Sequence, residues 1–179
     1  MSAGTSPRPV MSFVLYSPIS VLRCGLRSAL VLALGLTLSA CAGAPAGPLP
    51  PSDPALLTFA EELGVDLADF EKTESGLYIQ DQIPGVGATA QRESRVWIFY
   101  VGYLPDGTVF DAQLQGDPFQ FRMGGSEVIR GWNEGIRGMK VGGQRRLVVP
   151  PRLAYGSRGR GDVPPGATLV FDLQLIDAN

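Results

Sequence analysis

The sequence predicts an α+β domain in which an antiparallel β-sheet wraps over one short α-helix. From Gly76 onward, apolar and polar residues alternate and turn residues separate the runs, which is the pattern of β-strands. One stretch in this region, 127–139, instead carries large apolar residues at helical spacing. A single short helix among many strands favours an antiparallel sheet packed on that helix.

The helical segment has an apolar face at positions i, i+3, i+7 and i+10. This face is formed by Ile129, Trp132, Ile136 and Met139. Gly131 and Gly135 lie in the same segment, and each costs roughly 1 kcal/mol relative to alanine inside a helix. The helix therefore depends on tertiary contacts. Taken alone, its apolar face favours a place in the core over the floor of a pocket.

Six segments have the composition and alternation of strands. They are residues 77–83, 95–104, 108–111, 119–123, 145–149 and 168–176. The longest, 95–104, places Val96, Ile98, Tyr100 and Gly102 on one face. A Pro-Asp-Gly turn at 105–107 joins it to the next strand.

Composition excludes several classes of protein. The chain has 179 residues with 45% hydrophobic content, enough for one domain with a core. Three of the 15 basic residues and none of the 17 acidic residues precede position 41, so the remainder carries a net charge of −5 and no basic patch for nucleic acid. With no histidine and two cysteines, the chain lacks Ser-His and Cys-His nucleophile pairs and the usual zinc ligand sets. We expect no metal and no cofactor.

Residues 1–40 have the features of a secretory leader. Two arginines precede an apolar run from Ala29 to Leu38, which has the length of a signal-peptide core and is too short for a membrane span. The run ends in Leu-Ser-Ala-Cys at 38–41, which resembles a bacterial lipobox. That resemblance implies cleavage before Cys41 and lipid acylation of Cys41. An ordinary signal peptide with a chance cysteine is the alternative, and translation can start at Met1 or at Met11.

The next two segments lead into the domain. Residues 41–54 are rich in proline, alanine and glycine, which predicts an extended tether. Residues 55–75 predict a short helical extension, weakly amphipathic and broken at Gly64, that either packs on the domain edge or lies loosely beside it. Ala42 directly after Cys41 favours attachment at the outer membrane, by analogy with enterobacterial sorting.

Five motifs after Gly76 resemble the FK506-binding-protein (FKBP) type of peptidyl-prolyl cis-trans isomerase. They are YVGYLPDGTVFD at 100–111, PFQF at 118–121, EVIRGWNEG at 127–135, AYG at 154–156 and VPPGATLVFDLQL at 163–175. Their order and near-family spacing identify residues 76–179 as an isomerase domain of this type, here in a bacterial lipoprotein. The resemblance implies a curved antiparallel sheet around one short helix.

The resemblance also implies a hydrophobic cleft between sheet and helix that accepts a proline ring. The residues carried over as catalytic are Tyr100, Asp111, Ile129, Trp132 and Tyr155; those carried over as substrate-binding are Phe110, Phe119, Val128, Val163 and Phe171. In this scheme Trp132 is the floor, the Ile129 N–H and the Tyr155 hydroxyl donate to the substrate, and Asp111 orients neighbouring side chains. Phe121 belongs either to the cleft or to the core.

Such a cleft suits a reaction that needs no nucleophile. Rotation about a peptide bond meets a barrier of roughly 18–20 kcal/mol, while the two X-Pro isomers differ by only about 0.5–1 kcal/mol. The twisted imide loses the charge separation of the planar amide, so a dry aromatic site favours it over the ground state. The absence of histidine therefore costs this chemistry nothing.

The expected partners follow from the resemblance and the leader. They are X-Pro polypeptides of the envelope, macrolides such as FK506 or rapamycin, and a membrane reached through the lipid anchor, with the monomeric domain facing the periplasm. Asp162 stands where relatives often have an apolar residue, and Arg158 and Arg160 lie in the same loop, which leaves substrate preference and macrolide affinity open. A non-catalytic chaperone that holds peptides in the same cleft is the alternative function, and a purely structural lipoprotein is a third.

Overall fold

The computed structural model describes residues 53–179, so the predicted leader, Cys41 and nearly all of the predicted tether lie outside the described residues. The described chain forms seven strands and one α-helix. They are β1 (Glu71–Lys72), β2 (Tyr78–Ile83), β3 (Arg95–Tyr103), β4 (Val109–Gln113), β5 (Phe119–Arg122), α1 (Arg130–Gly135), β6 (Gln144–Val149) and β7 (Leu169–Ala178). Within 53–179, no helix has the length and apolar character needed to cross a membrane.

All strand pairs are antiparallel, and they form one sheet in the order β1-β2-β6-β7-β3-β4. β5 also pairs with β3, on the same edge as β4. β4 pairs with the C-terminal half of β3, and β5 pairs with its N-terminal half. Register shifts occur at 81–83, 97–98 and 102–103, where bulges increase the local bend and twist. The predicted fold class, a curved antiparallel sheet around one short helix, is confirmed.

The helix packs on the inner face of the sheet, and its two glycines explain how closely. A Cβ on Gly131 would lie 2.5 Å from Cγ1 of Val149, and one on Gly135 would lie 2.5 Å from Cδ1 of Leu147. Arg145 secures the helix end by donating to the Gly135 carbonyl at 2.7 Å. The two glycines thus lower the helix propensity of the segment but allow α1 to lie in close contact with β6.

This packing predicts that Gly131→Ala is destabilising, although alanine is the better helix former. The new methyl group must displace the Val149 side chain, and overpacking of this kind costs typically 1–3 kcal/mol, which outweighs a propensity gain of roughly 1 kcal/mol. Chemical denaturation measures the change in the free energy of unfolding. A matched test adds Val149→Ala, which makes room for the methyl group. Additive effects of the two substitutions would contradict the close contact.

The helix is shorter than the apolar periodicity suggests. Ile129 is its N-cap residue, with φ −60° and ψ 153°, and Ile136 is the C-cap. Met139 lies beyond the helix end but is 3% exposed, and Ile136 is fully buried, so both belong to the core as predicted. Packing on the sheet, and not a long helix, holds these side chains on one face.

The prediction of a helical extension over 55–75 is wrong in its secondary structure. The chain forms three single 3-10 turns at Pro54–Leu56, Glu61–Leu63 and Leu67–Asp69, followed by β1. Gly64 adopts a left-handed conformation with φ 55°, and the Asp66 side chain caps a new turn by accepting from the Ala68 N–H at 3.0 Å. Segments this short are marginal as helices, so these local contacts prevail.

The extension nevertheless packs on the domain, but on a face of the sheet and not at the expected domain edge. Leu63 and Phe70 are buried on the outer face of the sheet with three residues of the central strands. Those three are Tyr78, Val148 and Val170. On the same face, Arg146 forms a bidentate pair with Asp172 at 2.6 and 2.8 Å and also donates to the Leu63 carbonyl. The extension thus covers the side of the sheet that faces away from α1.

Candidate active site

A cavity of about 450 Å³ opens on the inner side of the sheet, beside α1. All ten residues predicted for the cleft line it. They are Tyr100, Phe110, Asp111, Phe119, Val128, Ile129, Trp132, Tyr155, Val163 and Phe171. They come from five elements and two loops that are distant in sequence. Their roles in binding and catalysis remain predictions.

Trp132 lies at the centre of the cavity's aromatic side chains and is 5% exposed. Its ring centroid is 4.9 Å from that of Tyr100 and 5.2 Å from that of Phe171, with interplanar angles of 74° and 78°. Phe119 is a third edge-on neighbour at 6.0 Å. These edge-to-face contacts bring the positive edge of one ring to the negative face of another. The rings therefore hold one another in a fixed apolar surface.

One wall of the cavity depends on a glycine in β3. The rings of Phe110 and Phe171 meet edge to face, with centroids 5.7 Å apart. A Cβ on Gly102 would lie 2.6 Å from Cζ of Phe110 and 2.9 Å from Cε1 of Phe171. Gly102 is on the same strand face as Tyr100, as its spacing predicted, and its missing side chain leaves the room that both rings use.

A polar pair lies beside these rings. The Tyr100 hydroxyl donates to Oδ2 of Asp111 at 2.8 Å. Burial, and secondly this hydrogen bond, raise the pKa of Tyr100 well above its usual value of 10.0. Tyr100 therefore keeps its proton, and with it the hydrogen bond to Asp111, to a higher pH than an ordinary tyrosine would.

The raised pKa predicts that the protein loses stability in alkali. As pH rises through the ordinary tyrosine range, near pH 10, unfolded Tyr100 loses its proton while folded Tyr100 keeps it, so the free energy of unfolding falls. Denaturation of wild type and Tyr100→Phe at about pH 8 and about pH 11 measures this contribution. We expect a smaller alkaline loss for the phenylalanine variant. Equal losses would show that Tyr100 does not contribute.

The entrance to α1 offers a backbone donor. The Ile129 carbonyl accepts from the Trp132 N–H at 3.1 Å and so begins the helix, while no backbone carbonyl among the described residues accepts from the Ile129 N–H. Ile129 is half-buried and lines the cavity. Across the cavity, Tyr155 is also half-buried, and the Arg160 guanidinium carbon lies 5.7 Å from its ring centroid.

The family model for the FKBP-type peptidyl-prolyl cis-trans isomerase matches residues 87–176. The chain belongs to this family. A relative named FK506-binding protein 4 from Rhizopus delemar is 49% identical over 106 residues, which are 59% of this chain and 28% of the relative. The protein of the same name from Neurospora crassa is 46% identical over 59% of this chain and 23% of its own length. The matched region thus spans about a quarter of these curated relatives.

Three solved structures share the fold of this chain. A peptidyl-prolyl cis-trans isomerase from Pseudomonas syringae is 37% identical with a TM-score of 0.57, covering 62% of this chain and 81% of that one. AtFKBP13 is 39% identical with a TM-score of 0.58, covering 62% of this chain and 98% of that one. FkpA from Escherichia coli is 38% identical with a TM-score of 0.59, covering 66% of this chain and 55% of that one.

The FKBP-type cavity has four lining residues that were not in the predicted set. They are Glu127, Arg160, Gly161 and Asp162. Each is adjacent in sequence to a predicted lining residue or lies in the loop that leads to Val163, and this adjacency was the signal that could have identified them. Phe121, which the sequence left between cleft and core, is 2% exposed and does not line the cavity, so it belongs to the core.

The described residues contain no group of three or more His, Cys, Asp or Glu side chains placed to hold a metal ion.

Proposed function

We propose that this protein is a peptidyl-prolyl cis-trans isomerase that accelerates rotation about X-Pro bonds in envelope or secreted proteins. The main support for the proposal is that all ten predicted residues line one aromatic cavity. Family membership supports the same activity. No covalent intermediate is needed, because the reaction makes and breaks no bond.

The apolar part of the site lowers the barrier to rotation about the X-Pro bond. The proline ring lies against Trp132, enclosed by the edges of Phe110, Phe119 and Phe171. In this surrounding the twisted imide, with its smaller charge separation, is favoured over the planar amide. Each tenfold gain in rate requires about 1.4 kcal/mol of preferential stabilisation, so a few well-placed contacts suffice for a useful enzyme.

The polar groups fix the substrate carbonyls. The Ile129 N–H donates to one carbonyl and the Tyr155 hydroxyl to another, which holds the peptide while the imide turns. Asp111 acts through its hydrogen bond with Tyr100 and positions the wall of the cleft; it transfers no proton. FK506 and rapamycin would occupy the same apolar surface and inhibit.

The test is the rate of X-Pro isomerisation in a peptide. We expect acceleration by the protein and inhibition by FK506 or rapamycin. Phe110→Ala should lower kcat/KM by about tenfold, because it removes one wall and its edge contact, worth about 1.4 kcal/mol in the transition state. Val109→Ala is the matched control, since Val109 is the preceding residue, 54% exposed and outside the cavity. A folded protein that binds prolyl peptides without accelerating them would instead be the peptide-holding chaperone.

We further propose that the protein is lipid-anchored in a bacterial envelope as a monomer, in the outer membrane and facing the periplasm. The lipobox-like Leu-Ser-Ala-Cys at 38–41, the apolar run before it and the proline-rich segment after it support the lipid anchor. Ala42 directly after Cys41 supports the outer membrane, and the shortness of the segment 55–75, too short for a dimerisation arm, supports the monomer. Mass spectrometry of the mature N-terminus, after expression in a bacterium, tests the anchor. A diacylated or triacylated Cys41 is expected, and Cys41→Ser should abolish it. Cleavage at another residue, or an unmodified Cys41, would contradict it.

A further inference from the structure

A tight hairpin presents two charged residues at the mouth of the cleft. Arg160 donates its N–H to the Val163 carbonyl at 3.0 Å, and Val163 donates in return to the Arg160 carbonyl at 2.9 Å. Gly161 forms the tip with φ 55°. At Gly159, with φ 67°, a Cβ would overlap the Val163 carbonyl oxygen. The backbone thus fixes where the Arg160 and Asp162 side chains begin.

The Arg160 guanidinium is held at the cleft but keeps its charge available. It lies over the Tyr155 ring at 5.7 Å, an attraction between a cation and the negative ring face. Arg160 is exposed, lines the cavity, and has no carboxylate oxygen within 4.0 Å among the described ion pairs. Arg158 is exposed in the same loop but does not line the cavity.

The other charged residues that line the cavity are negative. Asp111, Glu127 and Asp162 line the same cavity. A peptide with a carboxylate beside its proline would meet three like charges there, and Arg160 is the one lining residue of opposite sign. Without Arg160, such a peptide would be disfavoured relative to a neutral one.

We propose that Arg160 is a specificity-determining residue, which admits X-Pro segments carrying a carboxylate next to the proline. The inference rests on the proposed isomerase activity of the same cleft. Arg160 attracts the substrate carboxylate and offsets the repulsion from the three acidic residues. Its effect is confined to charged substrates, because a neutral side chain has no charge for it to act on.

The experiment compares kcat/KM for three peptides that differ only in the residue next to proline, which is leucine, glutamate or lysine. In one series this residue precedes the proline, and in a second series it follows the proline. Arg160→Gln should lower the glutamate-to-leucine ratio by about two- to fivefold in at least one series, the range expected for a partly exposed charge pair. The lysine-to-leucine ratio should rise. Arg160→Lys should keep most of the preference, and Asp162→Asn should raise the glutamate-to-leucine ratio. High salt should weaken all of these effects.

Arg158→Gln is the matched control and should leave every ratio unchanged. The proposal is overturned if Arg160→Gln leaves the ratios as in wild type, or if it changes the three peptides by one common factor. Failure of the isomerase proposal is seen separately, as no acceleration of the leucine peptide by wild type. In that case the dissociation constants of the same three peptides are compared for wild type and Arg160→Gln. A weaker preference for the glutamate peptide over the leucine peptide in Arg160→Gln supports a charge-selective cleft, and an unchanged preference overturns the proposal.

Discussion

Replacing Trp132 by alanine is expected to lower the free energy of unfolding by about 3–5 kcal/mol, the range for removal of a buried aromatic side chain. Trp132 is 5% exposed and its ring contacts those of Tyr100, Phe119, Phe121 and Phe171. Four rings would lose their common neighbour, and the cavity would lose its floor. Since such a loss is a large part of the stability of a typical domain, the same substitution should also abolish isomerase activity.

Trp97→Ala is the matched control, because Trp97 is the other of the two tryptophans and lies half-buried on β3, outside the cavity. Its stability cost should be smaller, and the activity of the folded protein should be retained. Trp132→Phe separates the two effects: it keeps an aromatic floor and the fold, and we expect reduced activity with most of the stability retained. Equal costs for Trp97→Ala and Trp132→Ala would contradict the central position of Trp132.

A further variant, Trp97→Phe, leaves Trp132 as the sole tryptophan and therefore as a fluorescent reporter of the cleft. Binding of a prolyl peptide or of FK506 should change its fluorescence, because Trp132 lines the cavity and a ligand there would change the surroundings of the ring. A titration with an unchanged signal would place the ligand elsewhere.

The strands and the cleft could be predicted from the sequence because their signals are local. Alternation identified six of the seven strands within two residues at each end, and the predicted inward face of β3 is formed by Val96, Ile98 and Tyr100 as expected. The ten cleft residues came from five motifs of the FKBP type, and the cavity joins all ten. A family motif indicates the positions of cleft-lining side chains, so it predicts the cleft even where hydrophobic periodicity does not.

Features that depend on contacts between distant segments could not be predicted. β1 has two residues, too few for any alternation, and exists through its pairing with β2. The helix expected over 55–75 had apolar residues at helical spacing, yet Leu56 is 73% exposed while Leu63 and Phe70 are buried under local turns. From the sequence alone, Gly131 and Gly135 only lower the helix propensity, whereas in the structure their missing side chains allow α1 to lie close to β6. Each depends on the position of a neighbouring strand, which the local pattern does not contain.

Gly102→Ala is expected to close part of the cleft while leaving the fold intact. The added methyl group would lie 2.6 Å from Phe110 and 2.9 Å from Phe171, closer than carbon atoms can approach, so one of the rings must move. Phe171 is 2% exposed and held by the core, whereas Phe110 is only half-buried. Phe110 should therefore move, and the cavity loses one of its walls. We expect kcat/KM to fall by about tenfold or more, with a stability loss of about 1–3 kcal/mol.

A second substitution distinguishes this steric effect from general damage to β3. Phe110→Leu in the Gly102→Ala background removes the ring that the methyl group strikes. The free energy of unfolding should then recover, so that the two substitutions are non-additive by at least about 0.5 kcal/mol, while activity stays low because the aromatic wall is absent. Recovery of stability without recovery of activity identifies the empty space at Gly102 as a requirement of the cleft. If stability does not recover, the loss in Gly102→Ala arises in the strand backbone, and the glycine is required by β3 and not by the cleft.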